Sequence, residues 1–177
     1  MRVFIAVDLP REAINYIEEL QKLIGKQNLF TGKFTEPENL HLTLKFLGEI
    51  DAEKVSEIQE KLKTIEFPAF EAELGEVGAF SKKFIKIIWI KLEGKITLLQ
   101  EKIDEALSEL FAKENRFMSH ITIARVKNVK DKRILLSYIK TMKTQKIKFK
   151  VDKFFLKKSE LKSEGPVYED LESYELS

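Results

Sequence analysis

Two histidines, each followed two positions later by a threonine, are the residues of this sequence best suited to chemistry. They occur as His41-Leu42-Thr43 and His120-Ile121-Thr122, and the 177-residue chain has no other histidine. Because an imidazole has an unperturbed pKa of about 6.5, it can accept or donate a proton near neutral pH. Two imidazoles across a cleft can activate an attacking oxygen and protonate a leaving oxygen, each transfer contributing about 10²–10⁴ in rate. The two hydroxyls can donate to a phosphoryl oxygen.

The alternation of side chains along a strand accounts for the spacing inside each motif. A strand over residues 40–47 has a polar face made of His41, Thr43 and Lys45. Its opposite, core face is made of Leu42, Leu44 and Phe46. A strand over residues 120–127 likewise separates His120 and Thr122 from Ile121 and Ile123. Each strand therefore presents an imidazole and a hydroxyl side by side.

The two motifs indicate an internal duplication. They are separated by 79 residues (120 − 41), nearly half the chain, and each precedes a predicted helix led by Asp51 or Asp131. Two similar lobes facing each other across a cleft explain this arrangement. The sequence predicts an α+β, bilobal duplicated fold, with two antiparallel-rich sheets facing a central cleft and helices outside. We expect one domain over residues 1–177.

Hydrophobic periodicity places the elements of this fold. Strands are predicted over 2–8, 40–47, 70–79, 84–92, 120–127, 147–158 and 167–175. Helices are predicted over 11–25, 52–64, 95–112 and 130–142. A turn is expected among Ser81, Lys82 and Lys83, and Trp89 is expected in the core.

Composition excludes several classes of site and protein. The chain has no cysteine, which rules out disulfides, thiolate nucleophiles and Cys-ligated metal centres. No His-x-x-x-His or His-Glu-x-x-His pattern occurs to supply further ligands, so we expect neither a metal site nor a cofactor. No apolar run approaches the roughly 20 residues of a membrane span. The opening apolar stretch is broken by Asp8, so we do not expect a signal peptide. We expect a cytoplasmic location.

The motifs resemble those of the two-histidine (2H) phosphoesterase superfamily, and more closely the RNA 2′,3′-cyclic phosphodiesterases, historically called 2′-5′ RNA ligases. The similar stretches are residues 2–10, 41–48, 78–89 and 120–126. The resemblance implies that His41 is the proton donor and that His120 is the acceptor that activates water. It also implies opening of a terminal 2′,3′-cyclic phosphate to a 2′-phosphate. Ser119 stands where relatives often carry proline.

Substrate binding is predicted for four residues. Thr43 and Thr122 share the faces of the two histidines, where their hydroxyls can hold the phosphate. Phe4 points away from Val3 and Ile5 and fits either base stacking or a second core layer; the resemblance favours stacking. Strict alternation puts Arg125 on the core face, and only a bulge or the strand end would redirect it. The resemblance places this arginine near the phosphate.

A run of basic residues follows the second motif: Lys127, Lys130, Lys132 and Arg133. It fits a rim for RNA phosphates and, equally, the solvated start of a helix. The net charge of +2 gives no global field that favours a polyanion, so any such contact would have to be local.

The sequence thus predicts a monomeric, metal-independent phosphodiesterase that acts on RNA with 2′,3′-cyclic phosphate ends, tRNA halves among them. One alternative is a 2′-5′ RNA ligase that joins tRNA halves. The other is a non-catalytic module that binds RNA ends, against which the intact histidine and threonine pairs argue. Nothing in the sequence separates hydrolase from ligase, because water and a 5′-hydroxyl attack the same phosphorus.

Overall fold

The computed structural model describes residues 1–80 and 83–177. Within these residues there are four α-helices: α1 (Arg11–Lys26), α2 (Ala52–Leu62), α3 (Ile96–Ala106) and α4 (Lys132–Thr141). The nine strands are β1 (Arg2–Asp8), β2 (Phe30–Phe34), β3 (His41–Glu49), β4 (Phe70–Phe80), β5 (Ile87–Glu93), β6 (His120–Val129), β7 (Lys148–Val151), β8 (Lys153–Lys162) and β9 (Gly165–Glu175). A short 3₁₀ turn, Pro37–Asn39, leads into β3.

The strands form one sheet in which neighbouring strands run antiparallel. Their order is β7-β4-β5-β6-β3-β1-β8-β9, and β2 is added to β6. The two motif strands lie at the centre and are joined through the pair Leu42 and Ile121. The two predicted sheets are therefore the two halves of a continuous sheet, and the α+β class is confirmed.

Each half of the sheet includes strands from the other half of the chain, since β2 and β4 join the half that contains β6, and β8 and β9 join the half that contains β3. After α2, the chain crosses over so that β4 pairs with β5 and β7. After β7, it crosses back at Asp152, and β8 pairs with β1 and β9. The motif strands are thereby held from both sides by elements distant in sequence.

Helices cover one face of the sheet and leave the other for chemistry. Helix α1 packs against β6, α3 against β3, and α4 against β4. Residues facing the helices, such as Ile5, Leu42 and Ile121, are fully buried. The predicted caps are present: the Asp51 carboxylate accepts from the Lys54 amide at 2.8 Å, and the Asp131 carboxylate accepts at the start of α4. The opposite face carries both histidines, and we call it the cleft face.

Several boundaries differ from the sequence prediction. Strand β2 was not predicted, because its five residues do not alternate; it forms because Gly32 lets the backbone approach β6 closely. A Cβ at this position would lie 2.1 Å from the carbonyl oxygen of Arg125. The strand predicted over 147–158 is interrupted at Asp152, and α3 ends at Ala106 rather than at residue 112. Of the predicted turn, Ser81 and Lys82 lie outside the described residues.

Both motif strands contain a β-bulge at the same place. In β3, Thr43 pairs with Ala6 and the next pair is Lys45 with Ile5, which leaves Leu44 without a partner on β1. In β6, Thr122 pairs with Trp89 and the next pair joins Ala124 to Ile88, which leaves Ile123 without a partner on β5. Leu44 and Ile123 are again 79 residues apart (123 − 44). An extra residue reverses the faces of the side chains that follow it, up to the next bulge.

The bulges correct the predicted faces of three residues. Lys45 is buried on the helix side, where its ammonium group pairs with Asp104 of α3, so its predicted place beside His41 is wrong. Phe46, predicted in the core, is 75% exposed on the cleft face. The bulge that Arg125 needed is present, and this exposed residue lies on the face of His120 and Thr122.

Candidate active site

The two imidazoles are oriented by equivalent backbone carbonyls. Nδ1 of His41 is 2.7 Å from the carbonyl oxygen of Asn39, and Nδ1 of His120 is 2.7 Å from that of Met118. A carbonyl oxygen can only accept, so each Nδ1 carries a proton and donates it. This leaves each Nε2 as the atom that can exchange a proton with a substrate. Both carbonyls belong to the residue two positions before the histidine.

The threonine hydroxyls lie on the same face as the imidazoles. In the first motif, Nε2 of His41 is 2.9 Å from Oγ1 of Thr43. In the second, the backbone of Thr122 is fixed by the Thr35 hydroxyl, which donates to its carbonyl oxygen at 2.9 Å. Both threonines are half-buried, so their hydroxyls are both positioned and accessible.

The electrostatic surroundings of His41 are unusual for an imidazole. Its burial lowers its pKa, since the charged form loses hydration, while the Asn39 carbonyl and the Asp8 carboxylate act in the opposite direction. The positive charges of Lys157 and Arg125 lower the pKa further, and the net shift is downward. Protonated His41 is therefore a stronger acid than an exposed imidazole.

Lys157 belongs to a small ion network beside His41. It is 7% exposed, and its Nζ lies 3.0 Å from Oδ1 of Asp8 and 2.5 Å from Oδ1 of Asp170. Asp8 of β1 pairs with His41 of β3, and Phe4 of β1 pairs with Lys157 of β8. The network places one buried cation and its two carboxylates next to the predicted acid.

Arg125 reaches towards the His41 side of the cleft. Its charge acts on the pKa values of both His41 and Tyr168, although it belongs to the strand of the other histidine. Burial raises the pKa of Tyr168, and the arginine partly opposes that shift. An exposed guanidinium near enough to act on both groups is well placed for an anionic ligand.

Phe4 lies on the cleft side, as predicted, but it is covered. Its ring centroid is 5.1 Å from that of His41 and 5.0 Å from that of Tyr168, and only 3% of the residue is exposed. Phe46, 6.2 Å away, carries the open aromatic surface on this side. Base stacking by Phe4 stays a prediction, while its packing against the imidazole is direct.

Aromatic residues also border His120. The Phe80 ring meets the His120 ring edge-on at 5.1 Å, and Trp89 lies 5.8 Å from Phe80. Trp89 is half-buried and pairs with Thr122, so it belongs to the cleft face rather than the core. Its ring rests on Gly78, where an added Cβ would come within 2.4 Å of it.

Phe80, Trp89 and Tyr168 were not identified as site residues from the sequence. Trp89 carried a usable signal, because it alternates with the buried residues Ile88 and Ile90. The sequence around Tyr168 gives no such signal. This residue reaches His41 only because β9 pairs with β8 and β8 pairs with β1.

Each bulge is supported by a buried polar group from a helix. Lys45 donates to Asp104 and, at 2.8 Å, to the carbonyl oxygen of Ala112. At the other bulge, Nε2 of Gln21 in α1 donates to the carbonyl oxygen of Ile123 at 3.0 Å. The Gln21 contact holds the bulge that turns Arg125 into the cleft.

Among the described residues, no three His, Asp or Glu side chains are grouped so that they could hold a metal ion. Nor does any helix in residues 1–80 and 83–177 have both the length and the apolar character needed to cross a membrane.

The chain matches one family model twice, over residues 7–89 and 90–168, and that family is described as LigT like Phosphoesterase. The second match begins at Ile90, which pairs with Ile121 as Val7 pairs with Leu42. The internal duplication is therefore visible both in the sequence match and in the strand register.

Similar proteins agree with this match over the whole chain. An RNA 2′,3′-cyclic phosphodiesterase of Archaeoglobus fulgidus is 37% identical over 183 residues, covering 99% of this chain and 100% of the relative. The protein of that name from Thermotoga maritima is 36% identical over 177 residues, covering 97% and 93%.

Solved structures share the fold. The protein TT0787 of Thermus thermophilus superposes with a TM-score of 0.81 at 28% identity, covering 99% of this chain and 98% of that one. Escherichia coli LigT, crystallised with 3′-AMP, superposes with a TM-score of 0.75 at 23% identity, with coverages of 99% and 98%.

Proposed function

The chain belongs to the LigT-like phosphoesterase family, and on that premise we propose that it is an RNA 2′,3′-cyclic phosphodiesterase that opens a 3′-terminal cyclic phosphate by paired histidine catalysis. The observation that carries the proposal is the matched orientation of the two imidazoles. Each has its Nδ1–H bound to a backbone carbonyl, and each keeps Nε2 on the cleft face. The name that the similar proteins share, RNA 2′,3′-cyclic phosphodiesterase, suggests the substrate class.

In the proposed reaction, the oxygen of a water attacks the phosphorus in line with the 3′-oxygen. Nε2 of His120 takes a proton from the water as the new P–O bond forms. Nε2–H of His41 gives a proton to the 3′-oxygen as its bond to phosphorus breaks. The products are a 2′-phosphate monoester and a free 3′-hydroxyl, and both histidines have exchanged protonation states.

The lowered pKa of His41 fits the role of acid once substrate is bound. Burial makes the protonated imidazole more acidic. A cyclic phosphate beside it carries one negative charge, which favours the imidazolium and offsets the cost of burial. Substrate binding therefore both charges the acid and places its proton next to the leaving oxygen.

The remaining cleft residues would bind the phosphate and the nucleotide. The hydroxyls of Thr43 and Thr122 donate to the non-bridging oxygens, whose charge grows as water attacks. Arg125 balances that charge from the cleft face of β6. Phe4 supports the His41 ring and, through Phe46 beside it, contributes to a surface on which a base stacks.

Further parts of the proposal concern the protein as a whole. We place residues 1–177 in one domain of two pseudo-symmetric lobes, acting as a monomer in the cytoplasm. RNA ends of the kind left by tRNA cleavage, including tRNA halves, are the proposed substrates. The ligase reaction uses the same site with an RNA 5′-hydroxyl in place of water.

The test is to incubate the protein with an RNA that ends in a 2′,3′-cyclic phosphate and to map the phosphate of the product. We expect a terminal 2′-phosphate that resists a 3′-specific phosphatase, with undiminished turnover in EDTA. A 3′-phosphate would overturn the assignment of the leaving group. A joined RNA in the presence of a 5′-hydroxyl acceptor, without hydrolysis, would favour the ligase. Binding without turnover would favour an RNA-end-binding module.

A further inference from the structure

The cations on the two sides of the cleft differ in how they are paired. On the hairpin of β8 and β9, lysines face carboxylates on the neighbouring strand or in the same strand. Lys157 pairs with Asp170, Lys158 with Glu169, and Lys162 with Glu160. This side of the cleft is therefore close to electrically balanced, and a polyanion gains little from lying along it.

The ribbon of β2 and β6 is different, although Lys33 of β2 pairs with Glu36 just beyond that strand. It contains no acidic residue in either strand, and none occurs between residues 115 and 130. Arg125 and Lys127 are exposed along β6, and Lys130 is exposed just beyond its end. Among the residues that the structure describes, no carboxylate forms an ion pair with Arg125, Lys127 or Lys130.

The register of this ribbon sets polar residues of the two strands side by side. Lys33 of β2 pairs with Arg125, and Thr31 pairs with Asn128. Between these pairs Gly32 is opposite Val126, so Lys127 is the extra residue of a second bulge in β6. The core face is occupied by Val126, while Arg125 and Lys127 lie outside it. A row of uncompensated cations thus begins at the site and leads away from His120.

The length of this row suits more than one phosphate. From Arg125 to Lys130 the chain advances five residues, at most about 16 Å at roughly 3.3 Å per residue, because the bulge at Lys127 shortens the path. Phosphates of a single nucleic-acid strand are at least about 3.4 Å apart along its axis. Phe80 contacts His120 at the start of this row and is partly exposed, and it lies across β5 from Arg125. A basic row that begins near an exposed aromatic ring is typical of grooves that bind single strands.

We propose that the ribbon of β2 and β6 binds the RNA nucleotides that precede the terminal cyclic phosphate, with Lys127 and Lys130 contacting backbone phosphates. This inference rests on the proposed function and adds the direction in which the RNA runs. The RNA leaves the site along β6, the strand of His120. The substrate is then an oligonucleotide or longer RNA rather than a mononucleotide. The contacts are to phosphates, so they impose no base sequence.

The test compares two substrates with the same terminal nucleotide: a 2′,3′-cyclic mononucleotide and a single-stranded hexanucleotide that ends in that group. We expect kcat/KM to be higher for the hexanucleotide and to fall with added salt. The double variant Lys127→Gln/Lys130→Gln should lose roughly tenfold for the hexanucleotide, in any base sequence, and nothing for the mononucleotide. Its slope of log affinity against log salt should be shallower by about 1.4, from two phosphate contacts at about 0.7 each.

The matched control is Lys158→Gln/Lys162→Gln, which removes two cations from the balanced hairpin and should leave the preference for the hexanucleotide intact. Equal kcat/KM for both substrates in the wild-type protein, or equal loss in the two double variants, would overturn the inference and leave the proposed activity standing. If neither substrate reacts, the proposed function fails. Fluorescence anisotropy of a labelled hexanucleotide then decides the inference, which requires weaker binding in the Lys127→Gln/Lys130→Gln variant only.

Discussion

Leu42 of β3 pairs with Ile121 of β6 at the one point where the two motif strands are joined in the described chain. In an antiparallel pair, the residue before one partner lies level with the residue after the other. His41 is therefore level with Thr122, and Thr43 with His120. Each imidazole has beside it a hydroxyl that comes from the other half of the sequence, so the two motifs form one site.

This relationship gives the threonines a testable role. Thr122→Val keeps the shape of the side chain and removes its donor, so kcat should fall by about 10²–10³ if the hydroxyl stabilises the transition-state charge. Thr122→Ser keeps the donor and should retain most of the activity. Steady-state kinetics with cyclic-phosphate RNA measures both. Equal activity of the valine and serine variants would show that the hydroxyl takes no part.

The paired histidines predict losses that do not add. His41→Ala and His120→Ala should each lower kcat by about 10²–10⁴. The double variant should be only slightly worse than either, because each proton transfer is useful only with the other. Circular dichroism should be unchanged, since neither side chain is part of the core. Near wild-type kcat in both folded single variants would rule out acid–base catalysis by this pair.

The pH dependence follows from the surroundings of His41. An acid must be protonated to work, so activity falls as pH rises through its pKa. Because burial lowers that pKa, the alkaline limb of kcat/KM should lie below the range of an exposed imidazole. The limb should move to higher pH in kcat, because bound phosphate favours the imidazolium.

Removal of the nearby cation provides a second check on this assignment. Lys157→Gln deletes a charge that lowers the pKa of His41 and frees Asp8, which raises it. Both changes act in one direction, so the alkaline limb of kcat/KM should move to higher pH. Lys158→Gln alters the neighbouring residue, whose ammonium pairs with Glu169, and should leave the limb in place. A downward shift in the Lys157 variant would contradict the assignment of His41 as the acid.

The contact between Gly78 and Trp89 predicts a site-specific effect of one methyl group. A Cβ at Gly78 would overlap the indole ring, so Gly78→Ala must displace Trp89, the register partner of Thr122. We expect a reduced kcat and a lower melting temperature. Gly75→Ala, in the same strand, meets only side chains at ordinary contact distance and serves as the control. Similar activity of the two variants would argue that Trp89 has no part in shaping the site.

The buried pair behind the first bulge predicts a pH-dependent stability. Burial alone would raise the pKa of Asp104, but hydrogen bonds from Lys45, the Glu114 amide and Gln100 together hold it below its ordinary value. The pair therefore contributes stability above the unfolded pKa, about 3.9, and that contribution is lost as pH falls through the lower folded pKa.

Asp104→Asn leaves Lys45 buried without a counter-charge, which should cost about 3–5 kcal/mol in the free energy of unfolding at neutral pH. The difference from wild type should shrink at acid pH, below the ordinary pKa of an aspartate, where the wild-type carboxylate also becomes protonated. Urea unfolding at both pH values measures it. Glu109→Gln, which breaks an exposed pair with Lys61, should change stability little at either pH. A pH-independent loss in the Asp104 variant would assign the effect to packing.

Alternation and duplication were enough to predict the class of the fold, both motif strands and the shared face of each histidine and threonine. The faces of Lys45 and Phe46 were wrong because a bulge is a property of strand pairing. In the sequence, Leu44 and Ile123 look like ordinary core residues, and only their missing partners on β1 and β5 reveal them. The buried Lys45 depends on Asp104, 59 residues away, for which no local pattern exists.

The exchange of β4 and β8 between the halves of the sheet has a consequence for ancestry. A chain of half this length, with a single His-x-Thr motif, would lack the strand that its partner half supplies. A two-fold symmetric homodimer that swaps the strand equivalent to β4 and β8 would complete the central strands of this sheet. The symmetry axis would then pass beside the residue equivalent to both Leu42 and Ile121, which would pair with its own copy. Fusion of two such subunits would free each motif to specialise, one as acid and one as base.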